Sequence, residues 1–187
     1  MNKFNFGPAF KDERIVWGAQ RPGYDEDEIP VQMSRIKEWI SFMKDDGIKH
    51  VCYLLTKDEE REFYGNEVLS NIYLYEFGQN HVFSMPVKDR HLCNASLLKE
   101  RILPLLDKSY VNGEKIVIHC SGGSGRTGHV LAAWLVYKHK LSIDKALSAV
   151  KLPSVSRNPY EAVCAKNATM DELYNLLKQC QKGNSPS

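Results

Sequence analysis

No run of apolar residues in this sequence reaches the length of a membrane-crossing helix, and its first residues, MNKFNFGPAFKDER, hold no apolar stretch of signal-peptide length. The expectation is a cytoplasmic protein with no membrane span. The cysteine pattern of a disulfide framework or a zinc site is missing as well. The five cysteines, Cys52, Cys93, Cys120, Cys164 and Cys180, are odd in number and include no Cys-x2-Cys pair, so no metal site and no cofactor is predicted. Nor is there an excess of one charge: 25 Lys and Arg stand against 23 Asp and Glu, a formal +2. With no long basic run and no basic patch interleaved with aromatics, nucleic acid is not predicted as an obligate ligand. Internal repeats are absent too.

What is present fits one globular domain spanning residues 1–187, a monomer, with residues 1–13 as an irregular lead-in and 182–187 as a flexible tail. Hydrophobic residues make up 43% and charged residues 26%, enough apolar surface for a core without disulfides or metals. Residues 15–20 (IVWGAQ) read as a first strand ending at the turn Arg21-Pro22-Gly23. In residues 31–44 the apolar Ile36, Trp39, Ile40 and Met43 fall at i, i+3, i+4 and i+7, the spacing of a helix with one buried face. Residues 48–55 (IKHVCYLL) are the next strand; Thr56 caps the following helix with Glu59 at capping-box spacing, and the charged run 58–62 reads as a solvated helix face. A helix over about 67–77 and a short strand over 81–85 come next. Asn94 or Ser96 caps a helix that Pro104 kinks or divides. Ser142 is the expected cap of a helix over 143–151, and Thr169 that of a last helix over about 170–180. Strands alternating with helices predict an α/β fold whose central, mostly parallel sheet of about four to five strands is flanked by helices.

Residues 115–137, KIVIHCSGGSGRTGHVLAAWLVY, carry the chemistry. The apolar run 116–118 is a buried strand, Cys120 stands at its end, and Val130, Leu131, Trp134 and Leu135 return at helical spacing. Between them lie Ser121, Gly122, Gly123, Ser124 and Gly125. Three glycines in five positions let successive amides turn inward and cradle a tetrahedral oxyanion at a helix N-terminus. Beside such amides and the guanidinium of Arg126, a thiol loses its proton below its usual value of about 8.5 and becomes a nucleophile. Arg126 holds two phosphate oxygens through its fork, and Thr127 offers its hydroxyl to the sulfur when a covalent intermediate breaks. His119 fits two roles equally, holding or tuning the loop, or serving as a hydrogen-bonded core residue.

The stretch HCSGGSGRTG resembles the His-Cys-x5-Arg-Thr/Ser-Gly signature of the cysteine-based protein tyrosine phosphatase superfamily, and the short chain is similar to its dual-specificity branch over roughly residues 12–180. The resemblance implies a phosphatase-type three-layer fold, a phosphocysteine intermediate and metal-independent hydrolysis. It also implies a general-acid aspartate in a loop about thirty residues before the cysteine, where Asp89 stands. Independently, a parallel sheet would bring the loop after the 81–85 strand beside Cys120, and a carboxylic acid there protonates the leaving oxygen. Arg21 and Pro22 resemble the arginine-proline turn of some small phosphatases, where a structural role is expected. Ser156, Arg157 and Asn158 are read as structural rather than as water-positioning residues.

The substrate expected is a phosphoprotein, with phosphotyrosine and phosphoserine or phosphothreonine as targets. The loop interior lacks the lysine or histidine that resembling lipid phosphatases often carry. The alternatives are a phosphoinositide or RNA 5′-triphosphate phosphatase of the same mechanism, and a non-catalytic phosphate-binding module. An arsenate reductase or sulfurtransferase is disfavoured, because Cys120 has no near resolving cysteine.

Overall fold

The computed structural model describes residues 2–25, 28–66 and 68–181; the tail expected over 182–187 and the expected helix start at Glu67 lie outside the described residues. In chain order come strands β1 (Gly7–Pro8) and β2 (Val16–Ala19), helix α1 (Met33–Asp45), strand β3 (His50–Tyr53), helices α2 (Lys57–Tyr64) and α3 (Leu69–Phe77), and strand β4 (Val82–Ser84). Helix α4 (Leu103–Asn112), strand β5 (Ile116–His119) and helices α5 (Gly125–Lys138), α6 (Ile143–Ala149), α7 (Glu161–Cys164) and α8 (Met170–Lys178) complete the fold.

The five strands form one sheet in the order β1-β2-β5-β3-β4, in which only the β1-β2 pair is antiparallel. The α/β expectation holds. Alternation along β5 divides the core in two. Ile116 and Ile118 pack with Leu106, Leu131, Trp134 and Leu173 on one face, while Val117 packs with Trp39, Met43 and Tyr73 on the other. Helix α5 is buried on every side from Gly125 to Val136, as a helix wedged between a sheet and further helices must be. The predicted face of α1 is the buried one: Ile36, Trp39, Ile40 and Met43 are all at most 3% exposed.

Several details sharpen the sequence reading or depart from it. The lead-in is not wholly irregular, because Gly7 and Pro8 pair with Gly18 and Trp17. Asn94 is the cap before the fourth helix, its Oδ1 accepting from the Ser96 and Leu97 amides. Pro104 divides the fourth helix as expected: the chain before it, Leu97–Ile102, winds in a wider π-type coil that passes directly into α4. Ser142 precedes α6, but its side chain makes no cap hydrogen bond. Thr56 and Thr169 do close capping boxes, with Glu59 and Glu172.

Parallel pairing sets the site. Tyr53 lies opposite His119 and also opposite Ser84, so the segments leaving β3, β4 and β5 open on one side of the sheet.

Candidate active site

The loop after β5 is held from behind. The Arg21 amide donates to Ser121 O (2.8 Å), and Asn5 Nδ2 donates to Gly122 O (3.0 Å). A peptide unit points its C=O and N–H in opposite directions, so anchoring these two carbonyls turns the Gly122 and Gly123 amides away from the scaffold. The Asn158 amide donates to Ser124 Oγ at 3.1 Å. Gly123 has φ +69°, and a Cβ there would meet the Ala19 carbonyl at 2.5 Å; the loop crosses the end of β2 too closely for any other residue.

Cys120 is buried at the start of this loop, and Thr127 Oγ1, on the first turn of α5, donates to its Sγ at 3.2 Å. Arg126 is 1% exposed. Its Nη1 donates to Glu59 Oε2 (2.8 Å) and to the Val87 carbonyl (3.0 Å), and its Nη2 to Glu59 Oε1 (2.7 Å). Asp89 Oδ1 lies 2.9 Å from the same Nη2. The Nε of Arg126 is buried with no hydrogen-bond partner, a cost that an incoming oxyanion would remove. Burial disfavours charge on both members of the Arg126–Glu59 pair, but their hydrogen bonds outweigh it: the guanidinium is held above, and the Glu59 carboxyl below, its ordinary range.

Glu59 was not legible as part of a site. The charged run 58–62 has the sequence pattern of a solvated face; instead Glu59 clasps Arg126, and Glu60 is buried with an oxygen 3.3 Å from the Ser70 amide. Nothing in local spacing signals either contact.

Two histidines frame the loop as neutral groups. His119 accepts from the Tyr73 hydroxyl at Nε2 (3.0 Å) and donates from Nδ1 to the Cys120 carbonyl (3.1 Å). It is thus at once a core residue and a holder of the loop. His129, which sequence reasoning passed over, accepts from the Cys93 amide at Nε2 (3.0 Å) and donates from Nδ1 to the Gly125 carbonyl (3.1 Å). It ties the chain beyond Asp89 to the start of α5. Burial lowers both imidazoles to about 4.

Above the sulfur is a cleft of about 130 Å³. Its walls include Tyr24, whose ring lies over Gly122, and Glu161, whose carboxylate lies over Gly125. Asp89 and Arg90 form a third side, with Asp89 half exposed. Of the predicted residues, the structure thus gathers Cys120, Ser121, Gly122, Ser124, Gly125, Arg126, Thr127 and Asp89 at one place, with Gly123 beneath the loop. Sequence reasoning does not find Tyr24 or Glu161: Tyr24 follows the Arg21-Pro22-Gly23 turn and Glu161 opens α7, and neither position is marked by a pattern of its own. Arg157 stands behind the loop, donating to the Pro8 and Gly7 carbonyls, and the Arg21 guanidinium stacks on Phe63 at 3.9 Å.

Comparison with known proteins agrees with this geometry. Residues 27–140 match the family described as "Polymorphic toxin system, DSP-PTPase phosphatase". The chain is 29% identical over 99 residues to the phosphatidylinositol 3,4,5-trisphosphate 3-phosphatase cnrN of Dictyostelium discoideum, a match covering 52% of this chain and 16% of that protein. It is 27% identical over 74 residues to dual specificity protein phosphatase 2 of Mus musculus, covering 40% and 23%. These matches span less than a quarter of either relative. Among solved structures, Tk-PTP in its active form superposes with a TM-score of 0.57 at 24% identity, over 87% of this chain and 93% of that one. Kinase associated phosphatase gives 0.65 at 20% identity, over 87% and 83%. At such identities the likeness is one of fold.

Proposed function

We propose that this chain, which belongs to the polymorphic toxin system DSP-PTPase phosphatases, a family of cysteine-based phosphatases, hydrolyses phosphomonoesters on phosphotyrosine and on phosphoserine or phosphothreonine proteins through a phosphocysteine. The observation that carries this reading is the placement of the Cys120 sulfur. It lies under a loop whose amides are turned off the scaffold, 3.2 Å from the Thr127 hydroxyl, in a site where a buried arginine keeps an unpartnered Nε. A nucleophile, a donor to it and an oxyanion cradle are together.

In this reading the Cys120 thiolate attacks phosphorus as the P–O bond to the leaving group breaks. Arg126 and the amides of residues 121–126 hold the equatorial oxygens, and a carboxyl at the cleft mouth protonates the leaving oxygen. We assign that role to Asp89, once it has yielded Nη2 to the phosphate. Water then cleaves the S–P bond, and Thr127 stabilises the departing thiolate. One domain over 1–187, acting as a monomer in the cytoplasm, is the form in which we propose it works.

A second reading, a phosphoinositide phosphatase, draws on the similarity to cnrN. The cleft walls favour the first: among the described residues, two carboxylates, Asp89 and Glu161, face the cleft with Arg90 as the exposed cation, an arrangement that repels a second phosphate. The test is hydrolysis of an aryl phosphate with chelator present, then of matched phosphopeptides against a phosphoinositide headgroup. Turnover lost in Cys120→Ser, with peptides preferred, is the expected result. Activity retained in Cys120→Ser would end the phosphocysteine account, and preference for the headgroup would favour the second reading.

A further inference from the structure

Among the described residues two carboxylates, not one, line the cleft above Cys120, and their surroundings differ. Asp89 comes from the segment after β4 and is already matched with positive charge: Oδ1 is 2.9 Å from Arg126 Nη2, and Oδ2 is 3.9 Å from Arg90 Nε. The side chain of Glu161, the first residue of α7, makes no hydrogen bond or ion pair among the described residues. Its carboxylate lies so closely over Gly125 that a Cβ on that glycine would come within 1.7 Å of Oε2. The loop's last glycine is therefore what admits this carboxylate to the cleft. Position alone makes Asp89 an ion-pair partner and Glu161 an uncommitted acid.

We propose that Glu161 is a second proton carrier of the reaction, beside Asp89, and holds its proton while the site is empty. This rests on the cysteine-phosphatase reading. In the first step the Cys120 thiolate forms the S–P bond, the P–O bond breaks, and the leaving oxygen takes the Glu161 proton, giving phosphocysteine, alcohol and a Glu161 carboxylate. In the second, water adds its oxygen to phosphorus and its proton to Glu161, while the S–P bond returns its electron pair to sulfur, giving hydrogen phosphate, the thiolate and the protonated carboxyl again. Atoms and charge balance, and no other reactant is needed.

The electrostatics run the same way. Burial first, and then the Asp89 charge, raise the proton affinity of Glu161, while Arg126 and Arg90 lower it less. When phosphate displaces Asp89 from Nη2, two carboxylates would face a dianion, a situation that drives one of them to keep a proton. Groups whose environments push their proton affinities apart divide acid and base roles between them. Among the described residues, the ionisable groups that share this cleft with Glu161 are Asp89 and Arg90 from the segment after β4, Tyr24 from the segment after β2, and Cys120 and Arg126 from the loop and α5.

The test compares the unmutated protein with Glu161→Gln, Glu161→Asp and Asp89→Asn across pH, on a dinitrophenyl phosphate and on an alkyl phosphate. The first leaves without help; the second needs a proton. Glu161→Gln should lower kcat on the alkyl ester by roughly 10² to 10⁴ fold but on the dinitrophenyl ester by under about tenfold, and should remove or shift the alkaline limb of kcat/KM. Glu161→Asp should recover part of the loss. Unchanged vanadate affinity and thermal midpoint in Glu161→Gln would tie the effect to proton transfer. If that variant stays within about threefold of the unmutated protein on the alkyl ester with the same pH profile, while Asp89→Asn loses turnover, Glu161 carries no proton and the proposal fails alone. An unmutated protein that turns over neither ester sinks both the proposal and the reading beneath it.

Discussion

Glu59 holds the guanidinium of Arg126 at two points, Oε1 to Nη2 at 2.7 Å and Oε2 to Nη1 at 2.8 Å, and with Oε2 also accepts the Thr56 amide that caps α2. One carboxylate thus fixes both a helix terminus and the arginine of the phosphate cradle. The fork of Arg126 is aimed before any substrate arrives, which is where positioning contributes to rate.

Removing that carboxylate should therefore damage stability and turnover together. Glu59→Ala leaves a buried guanidinium short of its partner and should destabilise the fold by about 3–5 kcal/mol; Glu59→Gln keeps one acceptor and should cost about 1–3 kcal/mol. With the arginine fork loosened, kcat/KM on an aryl phosphate should drop by roughly 100-fold. The pH sign follows from the lowered proton affinity of Glu59: burial opposes its charge, but the Arg126 hydrogen bonds prevail. Its contribution is whole above the ordinary glutamate value of about 4.3 and is lost as pH falls through the lower folded value. Urea unfolding between pH 3 and 7 should show a shallower acid limb in Glu59→Gln; an unchanged limb would mean that the pair adds nothing to stability.

His119 and His129 make a second pH-dependent contribution, in a different window. Both are buried, neutral and lowered to about 4. In the unfolded chain a histidine takes its proton near 6.5, so between about 6.5 and 4 the unfolded state binds the proton and the folded state does not. Stability is complete above pH 6.5 and falls on acidification by roughly 1.4 kcal/mol per pH unit for each histidine. His129→Gln, which can keep the acceptor for the Cys93 amide, should roughly halve this slope between pH 6.5 and 4.5 in denaturant titrations. The same slope in the variant would show that His129 is already charged in the fold.

How much of this was readable beforehand depends on the range of each contact. The helix face of Ile36, Trp39, Ile40 and Met43 and the capping boxes at Thr56 and Thr169 are local patterns, and they appear as spacing. The cysteine loop is equally local, since seven consecutive residues, 120–126, build it. Strand β1 has two residues and therefore no period, and it exists only because Gly18 and Trp17 are there to pair with it. The grip of Glu59 on Arg126 joins positions 67 apart, and that of Asn5 on Gly122 positions 117 apart. Such contacts are created by the sheet order, which brings β2, β3 and β5 side by side. A side chain whose role is to reach across that order looks, in sequence, like any surface residue, as Glu161 and Tyr24 do.

The two adjacent loop glycines separate backbone need from mere proximity. At Gly122 a Cβ would meet the Tyr24 ring at 2.9 Å, and Tyr24 is 45% exposed, free to swing outward. At Gly123 a Cβ would meet the Ala19 carbonyl and the Gln20 amide nitrogen at 2.5–2.6 Å, main-chain atoms of the segment leaving β2, in a conformation with φ +69°. Neither obstacle can move without shifting the sheet. The left-handed angle alone costs an alanine about 1–2 kcal/mol, and the clash adds to it. Gly123→Ala should therefore lower the unfolding free energy by more than about 2 kcal/mol and weaken vanadate binding at least tenfold, because the loop must leave β2 and its amides lose their aim. Gly122→Ala should fold normally, with any loss falling on substrate affinity through Tyr24. Comparing melting temperatures and vanadate titrations of the two variants decides the matter: equal losses would mean that the cradle depends on loop flexibility and not on the fixed crossing over β2.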